Sequence, residues 1–263
     1  MTFEPQKESL HLISHTQGFG DSLRLLGVTL DIHLTMEEAV GECSVEAHWR
    51  LSALLRSRRF FSVRDFVLHY KAQVLSFLEY RTCAITHGAD VHLHALDAIQ
   101  RRFLRNVGLL LLDALHAFNL APLSSRRDMA NLGILYRAVT RRGPRQLQEL
   151  FKLDRNVRRS SPRRDVHRFQ ILDETRELHR DYLNRSTFGY VGVFNLLPDV
   201  VFVSEDFECP IPVKEFQKNL NKLVKLASHD VDNWHLLFSP RLPLFDHLIR
   251  GFQHVNRVHL SSQ

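Results

Sequence analysis

Sixteen histidines and three cysteines are the side chains of this chain best suited to metal or nucleophile chemistry, and their spacing argues against both uses. His11 and His15 lie four residues apart, and His92 and His94 two apart. A helical pair four apart can share one zinc ion, but a closed zinc site takes four ligands. No cysteine or carboxylate completes either pair. No metal site and no cofactor are therefore expected. Cys43, Cys83 and Cys209 are odd in number, far apart and without a Cys-x-x-Cys spacing. Neither a disulfide framework nor a zinc ribbon is indicated, and a reducing compartment fits best. No Gly-x-Ser-x-Gly elbow presents a nucleophilic serine, and no Gly-x-x-x-x-Gly-Lys loop cradles nucleotide phosphates. A Ser-His-Asp or Cys-His set assembled only by folding is not decided by counting residues.

The carboxylates are scattered. Two-metal phosphoryl chemistry needs neighbouring carboxylates, so that one ion activates a hydroxyl and the other stabilises the leaving phosphate. Asp21, Asp31, Asp65, Asp90 and Asp97 stand alone, and no adjacent Asp pair occurs anywhere. The acidic doublets Glu37-Glu38, Asp173-Glu174 and Glu205-Asp206 do not sit between two alternating strand patterns. No catalytic residue is expected. Positive charge is what the chain has in excess: net +6, with a pI near 9.5. From Arg137 to Arg168, eleven Lys or Arg face three acids, and the remainder is slightly acidic. This block, with Arg158-Arg159-Ser160-Ser161-Pro162-Arg163-Arg164 at its middle, reads as a solvated linker, as a surface that attracts polyanions by releasing condensed counterions, or as a nuclear-targeting cluster.

Hydrophobic periodicity shows what would position these charges. Leu23 to Leu30 is a short β-prone run. Thr35-Met36-Glu37-Glu38 has the capping-box pattern and opens a helix to about Arg58, with Ala39, Val40, Cys43, Ala47, Leu51, Leu54 and Leu55 inward. Ser62-Val63-Arg64-Asp65 is a second start signal, behind which Val63, Phe66, Val67, Tyr70, Val74, Phe77 and Leu78 keep helical spacing. A third helix from about Val91 to Val107 sets Leu93, Leu96, Phe103 and Val107 on one side and Arg101, Arg102 and Arg105 on the other. Ser125, three residues ahead of Asp128, opens a fourth helix, which Gly143-Pro144 ends. Phe188 to Val203 reads as two short extended pieces punctuated by Asn195 and Pro198. Pro210 and Pro212 introduce a last helix carrying Val213, Phe216, Leu220, Leu223 and Val224 inward. The longest apolar run, Val107 to Leu112, stops at Asp113, short of the roughly 20 residues that span a bilayer. Residues 1–20 have no apolar core of the signal-peptide kind. A soluble, intracellular protein, nuclear or cytoplasmic, is expected, with no membrane partner.

Several stretches fall in a familiar order. Leu26-Gly27-Val28-Thr29-Leu30-Asp31 comes first, followed by Phe66-Val67-Leu68-His69-Tyr70-Lys71, Leu75-Ser76-Phe77-Leu78-Glu79-Tyr80 and Leu96-Asp97-Ala98-Ile99-Gln100-Arg101-Arg102-Phe103-Leu104-Arg105. Leu123-Ser124-Ser125-Arg126-Arg127-Asp128, Leu135-Tyr136, Phe194-Asn195-Leu196-Leu197-Pro198 and Val213-Lys214-Glu215-Phe216-Gln217-Lys218-Asn219-Leu220 complete the series. Together they resemble the region after the palm, the thumb and post-thumb, of non-LTR (LINE-type) retrotransposon reverse transcriptases, over roughly residues 25 to 226. That family places an Asp-Asp pair in a palm hairpin upstream of the Leu-Gly-Val strand. Here the strand begins a few residues from Met1 and the pair is absent. The resemblance therefore implies a truncated fragment of an RNA-directed DNA polymerase that is not an enzyme by itself.

A thumb grips primer and template by the backbone, and phosphate contacts position a duplex without specifying its sequence. The resemblance thus implies non-specific binding of RNA or an RNA–DNA duplex. The residues expected to touch it are Arg56, Arg58, Arg59, Arg64 and Lys71, with Arg50 beside them, then Arg101, Arg102 and Arg105, and in the basic block Arg141, Arg142, Arg145, Arg158, Arg159, Arg163 and Arg164. Tyr70, Phe77, Tyr80 and Phe103 fall on apolar faces and are expected in the core. The alternative is a helical protein-interaction module, self-associating or pairing with an intact reverse transcriptase through Leu23, Leu25, Leu26, Val28 and Leu30, or a retrotransposon remnant without function. The expected fold is mainly α. A thumb-like helical bundle at 23–143 with a short N-terminal β segment follows a poorly structured 1–22. A basic linker at 144–168, a small, partly extended C-terminal region with a helix at 169–227, and a tail at 228–263 complete it.

Overall fold

The structure, a computed structural model, describes residues 22–31, 33–154, 168–172 and 186–240. It opens on a hairpin, β1 (Ser22–Leu25) and β2 (Val28–Asp31), paired antiparallel with Leu25 opposite Val28. The turn holds Leu26 at φ 49° and Gly27 at φ 78°, the two positive values a tight hairpin turn demands. Asp31 then orders the approach to the next element. Its carboxylate accepts from the backbone N–H of His33, Thr35 and Met36 and from the Thr35 hydroxyl. Partial burial pushes the Asp31 carboxyl up, but these bonds outweigh it and hold the group below its ordinary value. This corrects the expected capping box at Thr35, whose hydroxyl serves Asp31 and the Glu37 N–H instead.

Helix α1 (Glu37–Arg56) packs against α5 (Asp90–Val107). Between them in sequence come α2 (Val63–Tyr70), a π-helical turn at Lys71–Leu75, α3 (Ser76–Tyr80) and α4 (Thr82–Ile85). Ser62 caps α2 as expected, accepting from the Asp65 N–H at 3.2 Å. Helix α5 ends at Gly108, whose φ of 77° and N–H bond to the Leu104 carbonyl make a left-handed stop that suits a residue without Cβ. Helices α6 (Leu111–Phe118) and α7 (Leu123–Val139) follow, then α8 (Arg145–Leu150), α9 (Tyr190–Leu196) and α10 (Val213–Asp230). Among the described residues the fold is mainly helical with one short two-stranded sheet. Among the described residues, no helix is long and apolar enough to cross a membrane.

Phe188 to Val203, expected as two extended pieces, is chiefly helical: a 3-10 turn at Thr187–Gly189, α9, and a second 3-10 turn at Asp199–Phe202. Its aromatic and β-branched residues suit burial on one side of a short helix as well as they suit a strand, and packing decided. Tyr190, Val191, Val193 and Phe194 are all buried there.

Two apolar cores result. The first joins β2, α1, α2, α3 and α5 around Tyr70, which stacks on Phe103 with ring centroids 4.0 Å apart. The second joins α7, α9 and α10 around Tyr136, stacked on Phe216 at 4.2 Å. It also takes in Trp234, Leu237 and Phe238, so the start of the expected tail belongs to the fold. The division falls at α6 and α7, upstream of the basic stretch where the boundary was expected. Ala114 faces the first core and Leu115 the second. Tyr80, expected inside, is exposed.

Candidate nucleic-acid interface

Arg56 closes α1, Arg58 and Arg59 lie in the 3-10 turn that follows, and Arg64 sits in the first turn of α2. All four are exposed. The nearest acid in sequence, Asp65, is tied to the Ser62 hydroxyl at 2.6 Å. Phe60, within this turn, is 69% exposed, and the Arg59 guanidinium lies 4.8 Å from its ring centroid. The turn thus offers guanidinium groups and an open aromatic face together, the pairing that nucleic acids meet with phosphates and with stacked bases. Phe60 escaped sequence reading because it lies outside any helical stripe.

The other expected contacts divide. Arg101 and Arg105 are exposed on α5 and Arg102 is partly covered. Arg50, also exposed, pairs with Glu46 at 2.9 Å and lies over the Phe77 ring. The Lys71 ammonium donates to the Phe118 carbonyl, joining the π-helical turn to the end of α6. Burial, then the neighbouring charge of Arg126, lowers its pKa. Arg142 donates to the carbonyls of Ile211 at 2.6 Å and Pro210 at 2.7 Å, so it holds the approach to α10. Arg145 pairs with Glu149 at 2.9 Å, and Arg141 is exposed. Arg158, Arg159, Arg163 and Arg164 lie outside the described residues.

The structure also assembles a basic groove that sequence reading missed. Its walls are α10 and the N-terminal half of α7, with α3 and α4 at one side and a volume of about 710 Å³. Lys214, Lys218, Lys222 and Lys225 line it from α10 and Arg126 from α7. Glu79 pairs with Arg126 and Glu215 with Lys218 at 3.0 Å, and Glu205 and Asp206 line the neighbouring hollow that Lys218 and Lys222 also border. The spacing of four, four and three is one face of a helix, a signal that was present in Val213–Asp230 alongside its apolar face.

Ser125, Asp97 and His235 also come together, but not as a hydrolytic set. The Ser125 hydroxyl donates to the backbone carbonyl of His235 at 2.7 Å, and both Asp97 oxygens accept from Arg127 at 2.8 and 3.0 Å. A serine nucleophile needs its hydroxyl on the base's ring nitrogen. Among the described residues, no group of three or more His, Cys, Asp or Glu could hold a metal ion. Compared in turn with protein-family models, curated proteins and solved structures, the chain matches none.

Proposed function

We propose that this chain is a helical fragment of the non-LTR reverse transcriptase kind, without the palm's paired carboxylates, that binds nucleic acid through its backbone without reading sequence. The reading rests on the ordered motifs from Leu26 to Leu220. The observation that carries the binding is the turn between α1 and α2, where four arginines are exposed and the Arg59 guanidinium lies beside the open ring of Phe60. Guanidinium groups on a rigid turn suit phosphate because each presents a fixed fork of donors. An exposed phenyl ring adds stacking for any unpaired base, which tolerates all sequences.

Titrating an RNA–DNA duplex against the full chain at several salt concentrations tests this. Affinity should fall steeply with salt, and Arg58→Gln/Arg59→Gln/Arg64→Gln should flatten the slope by about three, one per phosphate contact removed. Binding that ignores salt, or a triple variant that binds as the parent does, would sink the proposal.

A second reading draws on one observation. Leu23, Leu25 and Leu26 on the hairpin are exposed, Leu26 by 80%, which favours a protein-interaction module. Association that persists in high salt would support it.

A further inference from the structure

The lysine stripe of α10 lies on the opposite core from the arginine turn and carries a separate inference. Lys214, Lys222 and Lys225 have no carboxylate partner among the described residues, and Lys218 shares Glu215. Beside the groove, burial first and then the charge of Arg126 lower the pKa of Lys71, Glu79 opposes them, and Lys225 adds a smaller push in the same direction as Arg126. Like charges gathered in a concave wall raise the local potential and draw in a polyanion. A solvated lysine face would instead spread its charges over a convex surface among acids.

The groove is not a loose set of side chains. Gly133 brings α7 close enough to α10 that a Cβ there would stand 2.7 Å from the Gln217 amide nitrogen. Asn221 donates to the Asn119 side-chain oxygen at 2.7 Å, tying α10 to the end of α6. Both wall helices are therefore fixed by contacts independent of the lysines.

The length of the stripe selects the ligand. Lys214 to Lys225 spans eleven residues, about 16 Å along the helix at 1.5 Å each. One strand of a duplex carries a phosphate for about every 3.4 Å of axis but winds around that axis, so a straight stripe of this length meets more than one phosphate of a strand. A single phosphate would engage one end only.

We infer that the groove between α7 and α10 binds a linear row of phosphates, separately from the arginine turn. The shared chemistry is the row itself, carried by a nucleic-acid strand or by inorganic polyphosphate.

Two short probes test this on the full chain, a fluorescent oligodeoxynucleotide of six residues and an inorganic polyphosphate of similar length. Lys214→Gln/Lys222→Gln/Lys225→Gln should weaken both at least tenfold at low salt. Lys214→Gln/Lys222→Gln touches only exposed side chains and should give an intermediate loss without altering thermal unfolding. Arg58→Gln/Arg59→Gln/Arg64→Gln removes the other phosphate-binding turn and should weaken the short probes less than the lysine triple variant does, leaving the groove's share of the binding in place. Preference for the oligonucleotide assigns the row to a nucleic-acid strand, and equal affinity assigns it to bare phosphates. Absence of binding to both probes, or lysine variants that bind as the parent does, overturns the groove. RNA–DNA duplex binding lost only in the arginine variant would then still uphold the proposed function. Duplex binding lost only in the lysine variants would overturn that function and leave the groove standing.

Discussion

Tyr70 and Asp128 are the two buried polar residues whose surroundings make the sharpest demands. The Tyr70 hydroxyl has no hydrogen-bond partner among the described residues, although the ring is fully buried against Phe103. Burial drives its pKa well above the ordinary value. An unsatisfied buried hydroxyl costs about 1–3 kcal/mol, so Tyr70→Phe should stabilise the chain by about 1 kcal/mol. Thermal unfolding should shift up by about 2–4 °C, and a fall would show that the hydroxyl is served by a group not yet counted. Asp128 is the converse, a buried carboxyl that accepts from the Tyr190 hydroxyl at 2.7 Å. Burial pushes its pKa up to about 7, against the smaller opposing pull of the Tyr190 bond and Arg127. The fold therefore prefers the protonated acid. Its contribution is complete below the ordinary carboxylate range and is lost as pH rises through about 7. Unfolding by urea at pH 5, 6, 7 and 8 should show stability falling across the series for the parent. Asp128→Asn, which keeps an acceptor for Tyr190 and cannot ionise, should flatten that fall. Equal slopes would refute the assignment.

At the scale of elements, the helices were legible where one face alone decided them. Asp90–Val107 and Val213–Asp230 carry clear apolar stripes; the first lies within a residue of its expected bounds, and the second begins at the expected Val213 and continues past Val224, the last inward residue expected, to Asp230. The helix behind Ser62 was legible in its cap and its period, but the π-helical turn at Lys71–Leu75 was not. A single added residue within a helix leaves the apolar spacing nearly intact. Misreadings cluster where a side chain serves a distant element. Thr35 and Ser125 both offered start signals, yet the Thr35 hydroxyl is drawn back to the Asp31 carboxylate and the Ser125 hydroxyl reaches the His235 carbonyl. The groove failed to emerge for a related reason. Four lysines on one helix become a site only when α7 closes over them, and that approach depends on long-range packing with no local signature.

The whole molecule depends on how its two cores are coupled, and the stretch Ser125-Arg126-Arg127-Asp128 supplies polar bonds for that coupling. Four consecutive side chains on α7 reach four different partners: the His235 carbonyl, Glu79 on α3, Asp97 on α5 and Tyr190 on α9. Two of these bonds cross from the second core to the first. The Arg127–Asp97 pair is the better protected, bidentate and with Arg127 only 8% exposed. Removing one partner of a largely buried pair costs about 3–5 kcal/mol, because the other charge is left without compensation. Arg127→Leu should therefore destabilise by about 3 kcal/mol, the lower end, since the Asp97 side chain keeps 20% of its exposure. Asp97→Leu/Arg127→Leu should recover most of that loss, as two apolar groups leave no orphaned charge. Calorimetry separates coupling by charge from coupling by packing. Ala114, Leu115 and Leu123 deliver α6 and α7 into both cores whether or not the ion pair is present. Arg127→Leu should accordingly unfold in one transition at a lower temperature. A split into two transitions would mean that the ion pair, and not the shared helices, makes the cores one cooperative unit.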